Sequence, residues 1–251
     1  KLSTNVTGES NEKIQSNSLS SNPIQLAFNY EICSYASSII LICNKFDFIL
    51  NGCEPKLCSM IGSLYYDLSL HEKNLDYLID LIQKNQFDEN ISLDTFDRML
   101  THFQTILNNY LTEKKFDQFI FLQDLSNFGF LCSESIFIDT QRLVSILDAK
   151  DDSGEFLILL KELAYKSEEF KNQLKKLQRN LPKEEKILNK IILNFPSEHL
   201  NELEICFNNF NLISRSLKEL YSLAFSSKVS NESNEVLTSK KLESLAYQAC
   251  D

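Results

Sequence analysis

Cys53, Cys58 and His71 are the first residues to test for chemistry, because thiolate and imidazole together can hold zinc. A structural zinc site needs four ligands, commonly arranged as two close pairs. Here the second close pair is missing and the spacing fits no common finger. The acids Asp148, Asp151 and Asp152 ahead of Gly154 suggest a calcium loop. An EF-hand requires an acid at its first position and Gly at its sixth. Counting back from Gly154 puts Ala149 first, so these are read as helix-capping acids. The three histidines, His71, His102 and His199, have no Ser or Cys nucleophile beside them in sequence. A triad can still assemble in space, but no nucleophile elbow and no Walker motif is present. With only 5 Gly in the chain, a glycine-rich phosphate loop is not expected. The expectation is a chain without catalytic residues, bound metal, cofactor or small-molecule substrate.

One charged pattern remains. Lys171, Lys175 and Arg179 recur every four residues and form a basic stripe on a helix, with Glu168 and Glu169 alongside. Such a stripe is either an ion-paired solvated face or a docking strip for an acidic protein or an RNA backbone. The net charge of −10 favours protein partners and predicts that RNA binding is weak.

The elements that must position these residues are helices. Hydrophobic residues make up 43 % of the 251 positions, which supplies a core, and Gly and Pro are scarce at 5 and 4. A β-sandwich or barrel needs far more turns than that. The seven cysteines are odd in number and irregularly spaced, several inside apolar helical runs. That fits buried free thiols in a reducing compartment, cytoplasm or nucleus. Acceptor sites for N-glycosylation at Asn5, Asn90 and Asn231 are no more than chance expects. No run reaches the roughly 18 apolar residues of a membrane helix, so no membrane span is expected. The chain opens on Lys1, as a fragment of a larger protein would.

Residues 1–22 are rich in Ser and Asn and read as a flexible lead-in. Helices are predicted from there over about 24–50, 55–69, 71–85 and 93–111. The segment 114–128 is apolar almost all the way round, which predicts a helix buried between neighbours. Gly129 reads as its C-terminal stop and Ser133 as the cap of a helix over 134–148. Further helices follow over 154–166, capped by Ser153, and over 167–180, 182–194 and 197–225. The helical body therefore spans 23–225, and 226–251 holds a polar linker and a short terminal helix. About ten helices with short loops predict an all-α fold of antiparallel pairs stacked as a HEAT-like solenoid, with an irregular bundle as the rival.

The run Phe121-Leu122-Gln123-Asp124-Leu125-Ser126-Asn127-Phe128-Gly129-Phe130 reads F-[IL]-x-[DE]-L-[ST]-x-x-G-[IFV]. It resembles the helix motif of the middle domain of the initiation factor four-gamma class. Within that class it is most similar to the HEAT domains of the up-frameshift scaffold of nonsense-mediated mRNA decay. Leu57-Cys58-Ser59-Met60 and Tyr65-Tyr66-Asp67 resemble the preceding helix, whereas Ile120 stands where that family has Arg. The resemblance implies a non-catalytic scaffold in mRNA surveillance or translation whose Gly closes a central helix. The alternative is a helical adaptor, tether or effector unrelated to RNA.

Overall fold

The computed structural model describes residues 23–88, 91–110, 117–147, 154–181, 195–230 and 237–250. Among these, eight helices and no strand are found. They are α1 (Pro23–Asn51), α2 (Pro55–Ser63), α3 (Tyr65–Gln83), α4 (Asp94–Tyr110), α5 (Gln118–Ile146), α6 (Glu155–Asn180), α7 (Ser197–Ser230) and α8 (Ser239–Cys250). The all-α expectation holds for the described residues. The expected lead-in 1–22, the expected helix 182–194 and the acidic loop 148–153 lie outside them.

The all-round apolar segment lies in the first half of α5, which packs against α1, α6 and α7. Its Phe121, Leu125, Phe128 and Cys132 are each no more than 4 % exposed. The side chains between helices fix the directions. Gln178 of α6 donates to Asn127 and Lys171 pairs with Glu134, so α6 runs antiparallel to α5. Cys132 meets Asn211 and Arg142 stacks on Tyr221, so α7 runs parallel to α5. Lys45 pairs with Glu204 and Glu31 with Lys218, so α1 runs antiparallel to α7. Four long helices thus surround a shared core, with α5 in contact with the other three. Stacked sequential pairs, as in a HEAT-like solenoid, are not established by this packing.

Several expected boundaries are corrected. The chain does not stop at Gly129, because α5 runs unbroken through it to Ile146. No described glycine has positive φ. Gly129 is instead a site of close approach: a methyl carbon there would lie 2.8 Å from Phe207 Cδ1 and 3.1 Å from Leu174 Cδ1. Ser133 does not cap a new helix but bonds back to the Gly129 carbonyl at 2.7 Å, as mid-helix serines do. Likewise α6 is one helix from Glu155, where two were expected, and its N-cap position is Gly154. The break between α2 and α3 falls at Leu64 rather than near residue 70.

Beyond the central cluster, α3 and α4 close over the first half of α1. There Tyr35, Ile39, Leu78, Phe96 and Met99 form a second core. At the other end α8 packs on α7 and α6, with Leu242 fully buried beside Ile136 and Leu143. The expected linker begins inside α7, which continues to Ser230. By length and composition α1 is apolar enough to cross a membrane. Its Tyr35, Ile39, Leu41 and Ile42 are buried in the two cores, and its Lys45 is tied to Glu204. A core helix passes the same test of composition.

Candidate docking surface

The end of α1 and the start of α5 enclose a groove of about 350 Å³. Asp117 begins α5 and accepts hydrogen bonds from the backbone N–H groups of Phe119 at 2.9 Å and Ile120 at 3.2 Å. That is the expected work of an N-cap acid. Two turns on, Asn44 of α1 donates to Asp124 at 2.6 Å. Lys45 also lines the groove, donating to Glu204 at 2.7 Å with its ammonium 4.9 Å from the centre of the Phe121 ring. Burial pushes the Asp124 carboxyl above its ordinary value, and the Asn44 bond opposes that shift. Leu41 and Phe121 floor the groove, while Phe48 and Ile120 stand on its rim at 43 % and 41 % exposure. Asp47 is exposed beside them. The groove thus has an apolar floor and an acidic rim.

The three histidines lie on three helices, and two of them meet. His71 Nε2 and His102 Nδ1 share a hydrogen bond of 2.8 Å across α3 and α4, and the His71 ring lies 5.5 Å from Phe103. Burial, helped by His102, lowers the His71 pKa. His199 is exposed in the first turn of α7. Cys53 is half-buried and Cys58 exposed, both free. Among the described residues no three His, Cys, Asp or Glu side chains gather as a metal site. Cys132 is fully buried, and burial pushes its thiol up to about 12, which removes it as a nucleophile.

The basic stripe is divided by the fold. Lys171 is buried, paired with Glu134 of α5 at 3.1 Å and with Glu168 of its own helix. Lys175 is half-buried over the Phe130 ring, and Arg179 is exposed. A sequence stripe of this spacing shows which face of a helix is basic. It does not show that a second helix places Glu134 against one member. The buried pair Asp139–Arg142 escaped the sequence reading altogether. Arg142 Nη1 donates to Asp139 at 2.6 Å, with Tyr221 of α7 stacked on the guanidinium. Only the i, i+3 spacing of acid and base signals this pair in the sequence.

The site and fold define a class, a helical protein whose polar groups tie helices together and whose open surface is apolar and acidic. Which one it is comes from comparison. A family model described as "Dynactin: Dynein associated protein" matches residues 2–181, and the chain belongs to that family. Its relatives include dynactin subunit 1 of Xenopus laevis, 25 % identical over 208 residues, covering 83 % of this chain and 17 % of the relative. The Gallus gallus protein of the same name is 27 % identical over 158 residues, covering 63 % of this chain and 13 % of the relative. That of Drosophila melanogaster is 25 % identical over 166 residues, covering 65 % and 13 %. The chain thus spans less than a fifth of the length of these relatives.

This membership corrects the resemblance drawn from residues 121–130. The chain is not of the initiation factor four-gamma class, and the implied place in mRNA surveillance and RNA metabolism falls with it. The structure gives the physical reason. The motif's Gly closes a helix in the resembled family, whereas Gly129 sits mid-helix to admit the Phe207 ring.

Proposed function

We propose that the chain is a non-enzymatic, dynein-associated protein-binding module, a helical adaptor unrelated to RNA that acts in the cytoplasm. The observation that carries this reading is the family match over residues 2–181, together with relatives named dynactin subunit 1. The geometry supports it. The ion pairs Lys45–Glu204 and Glu31–Lys218 join α1 to α7, as a rigid platform requires. Large apolar side chains stay open, among them Tyr66 at 86 % and Tyr77 at 61 % on α3. Exposed aromatic residues of this kind are favoured anchors at protein interfaces. Arg179 and the half-buried Lys175 keep the outer part of the basic stripe available to an acidic partner segment. Affinity capture of the tagged chain from its source cell tests the reading. Enrichment of dynein or dynactin subunits is the expected outcome. Recovery of RNA helicases and ribosomal proteins in their place would refute it.

A further inference from the structure

We infer that the outer face of α1 is a seam for a partner helix, one that carries an apolar stripe and basic residues at the end lying over the acidic groove. Cys33, Ala36, Ile40 and Cys43 follow one another at spacings of three, four and three, and all four are exposed. That is the spacing of a heptad seam, whose a and d residues fill the contact between two helices. Ile40, at 52 % exposure, is the largest of them. Its three neighbours are small, so a second helix can come close. The opposite side of α1 is already taken, because Tyr35 stacks on Phe96 of α4 and Lys45 reaches Glu204 of α7. The seam is therefore the outward arc left between α4 and α5.

Charge at the end of the seam selects the partner. The next seam position is Asp47, which is exposed and lines the groove with Asp117 and Asp124. These are three carboxylates against one ammonium, and that ammonium, Lys45, is bonded to Glu204. The negative end of the α1 macrodipole meets the positive end of that of α5 there, so the side-chain carboxylates set the sign of the charge. Phe48 and Ile120 offer an apolar landing beside these acids. A helix with Leu-like residues at a and d, and Lys or Arg where it crosses the groove, complements every part of this surface.

The inference rests on the protein-binding reading, and its test separates the two. The probe is a fluorescein-labelled peptide of about three heptads, with Leu at a and d and Lys or Gln elsewhere, beside a twin in which Glu replaces Lys. Fluorescence anisotropy should show saturable binding of the basic probe, and far weaker binding of the acidic twin. Ile40→Lys and Phe48→Ser should each weaken it about tenfold or more. Asp47→Asn should weaken it less. Leu212→Lys carries the same charge change as Ile40→Lys on the exposed face of α7, and should leave binding nearly unchanged. Ile40 is exposed, so a melt followed by circular dichroism should be the same for wild type and Ile40→Lys. Equal losses in Ile40→Lys and Leu212→Lys would reduce the effect to bulk charge and overturn the seam. So would the absence of saturation at ~100 μM probe, or a dimer in sedimentation that Ile40→Lys turns to monomer, since the occupant would then be a second copy. If Ile40→Lys still captures dynein subunits from the cell as wild type does, the seam fails while the proposed function stands.

Discussion

Replacing Gly129 by Ala sets two well-measured effects against each other. In a helix interior, Gly→Ala gains about 1 kcal/mol from propensity. The new methyl at position 129 would sit 2.8 Å from Phe207 Cδ1, closer still to the next ring carbon, and 3.1 Å from Leu174 Cδ1. Carbon atoms attract best at about 3.5–4.0 Å, so the ring has to move by about 1 Å or more. It has little room. Phe207 is 7 % exposed and stands 5.7 Å from the Phe170 ring, which in turn meets Phe210. Overpacking a dense core of this kind costs about 1–3 kcal/mol. Subtracting the propensity gain leaves a net loss of up to about 2 kcal/mol.

The sign is sharpened by two controls. Gly62, in the last turn of α2, has nothing within 4 Å of a methyl carbon, so Gly62→Ala should be neutral or stabilise by a few tenths of a kcal/mol. In a Phe207→Ala background the ring is gone and only the Leu174 methyl, at 3.1 Å, has to give, so Gly129→Ala should then be neutral or stabilise by up to about 1 kcal/mol. Urea unfolding followed by circular dichroism on the four members of this cycle should give a coupling of about 1–3 kcal/mol between positions 129 and 207. If Gly129→Ala stabilises in both backgrounds equally, the ring does not pack on that glycine, and the register of α5 against α7 is wrong.

Three further expectations follow from burial and charge. Ile136→Ala empties a fully buried position and should cost about 2–5 kcal/mol, whereas Ile40→Ala on the open face of α1 should change stability by no more than about 0.5 kcal/mol. Burial holds the Asp139 carboxyl at about 6 against an ordinary 3.8, although Arg142 pulls it down. An acid raised in the folded state binds its proton more tightly there, so stability falls as pH rises from about 4 to about 6, by roughly 1.4 kcal/mol for each pH unit between the two values. Unfolding free energies of wild type and Asp139→Asn should converge at the acid end and separate toward neutral pH, and parallel curves would refute the assignment. For His71, burial and then His102 lower the pKa, so this contribution to stability is lost as pH falls below about 6.5. Proton NMR should show the His71 imidazole titrating below the ordinary histidine range, and His102→Gln should move it part of the way back.

What was legible in the sequence was periodicity. The ranges 24–50 and 93–111 fall within a residue of α1 and α4, because each is one unbroken amphipathic or apolar run with clear ends. The burial of Phe119, Phe121, Leu125 and Phe128 was legible too from the apolar circumference of their segment, whereas Ile120 of the same segment lies exposed on the groove rim. The breaks were not. A glycine after a long apolar run fits a helix stop and a close helix contact equally well, and only Phe207, 78 residues later, decides between them. Ser133 likewise serves a cap or a bond back to a carbonyl within the helix. The short motif around Asp124 misled for the same reason, because helix-forming and core residues recur in unrelated helical proteins. The site was less legible than the fold. The groove needs Asp47 and Phe48 from α1 beside Asp117 and Ile120 from α5, and nothing local in either segment announces the other. The basic stripe was visible, but the partner that neutralises Lys171, Glu134, lies on a different helix.

The proposed function has this helical body binding the dynein machinery, in line with its family's description. Its most direct test uses the purified chain and a purified dynein complex, with binding followed by sedimentation or interferometry over a titration of the chain. Saturable association at physiological salt, retained when nuclease is added, is the expected result. No association up to the solubility limit of the chain, or association that disappears with nuclease, would contradict the account.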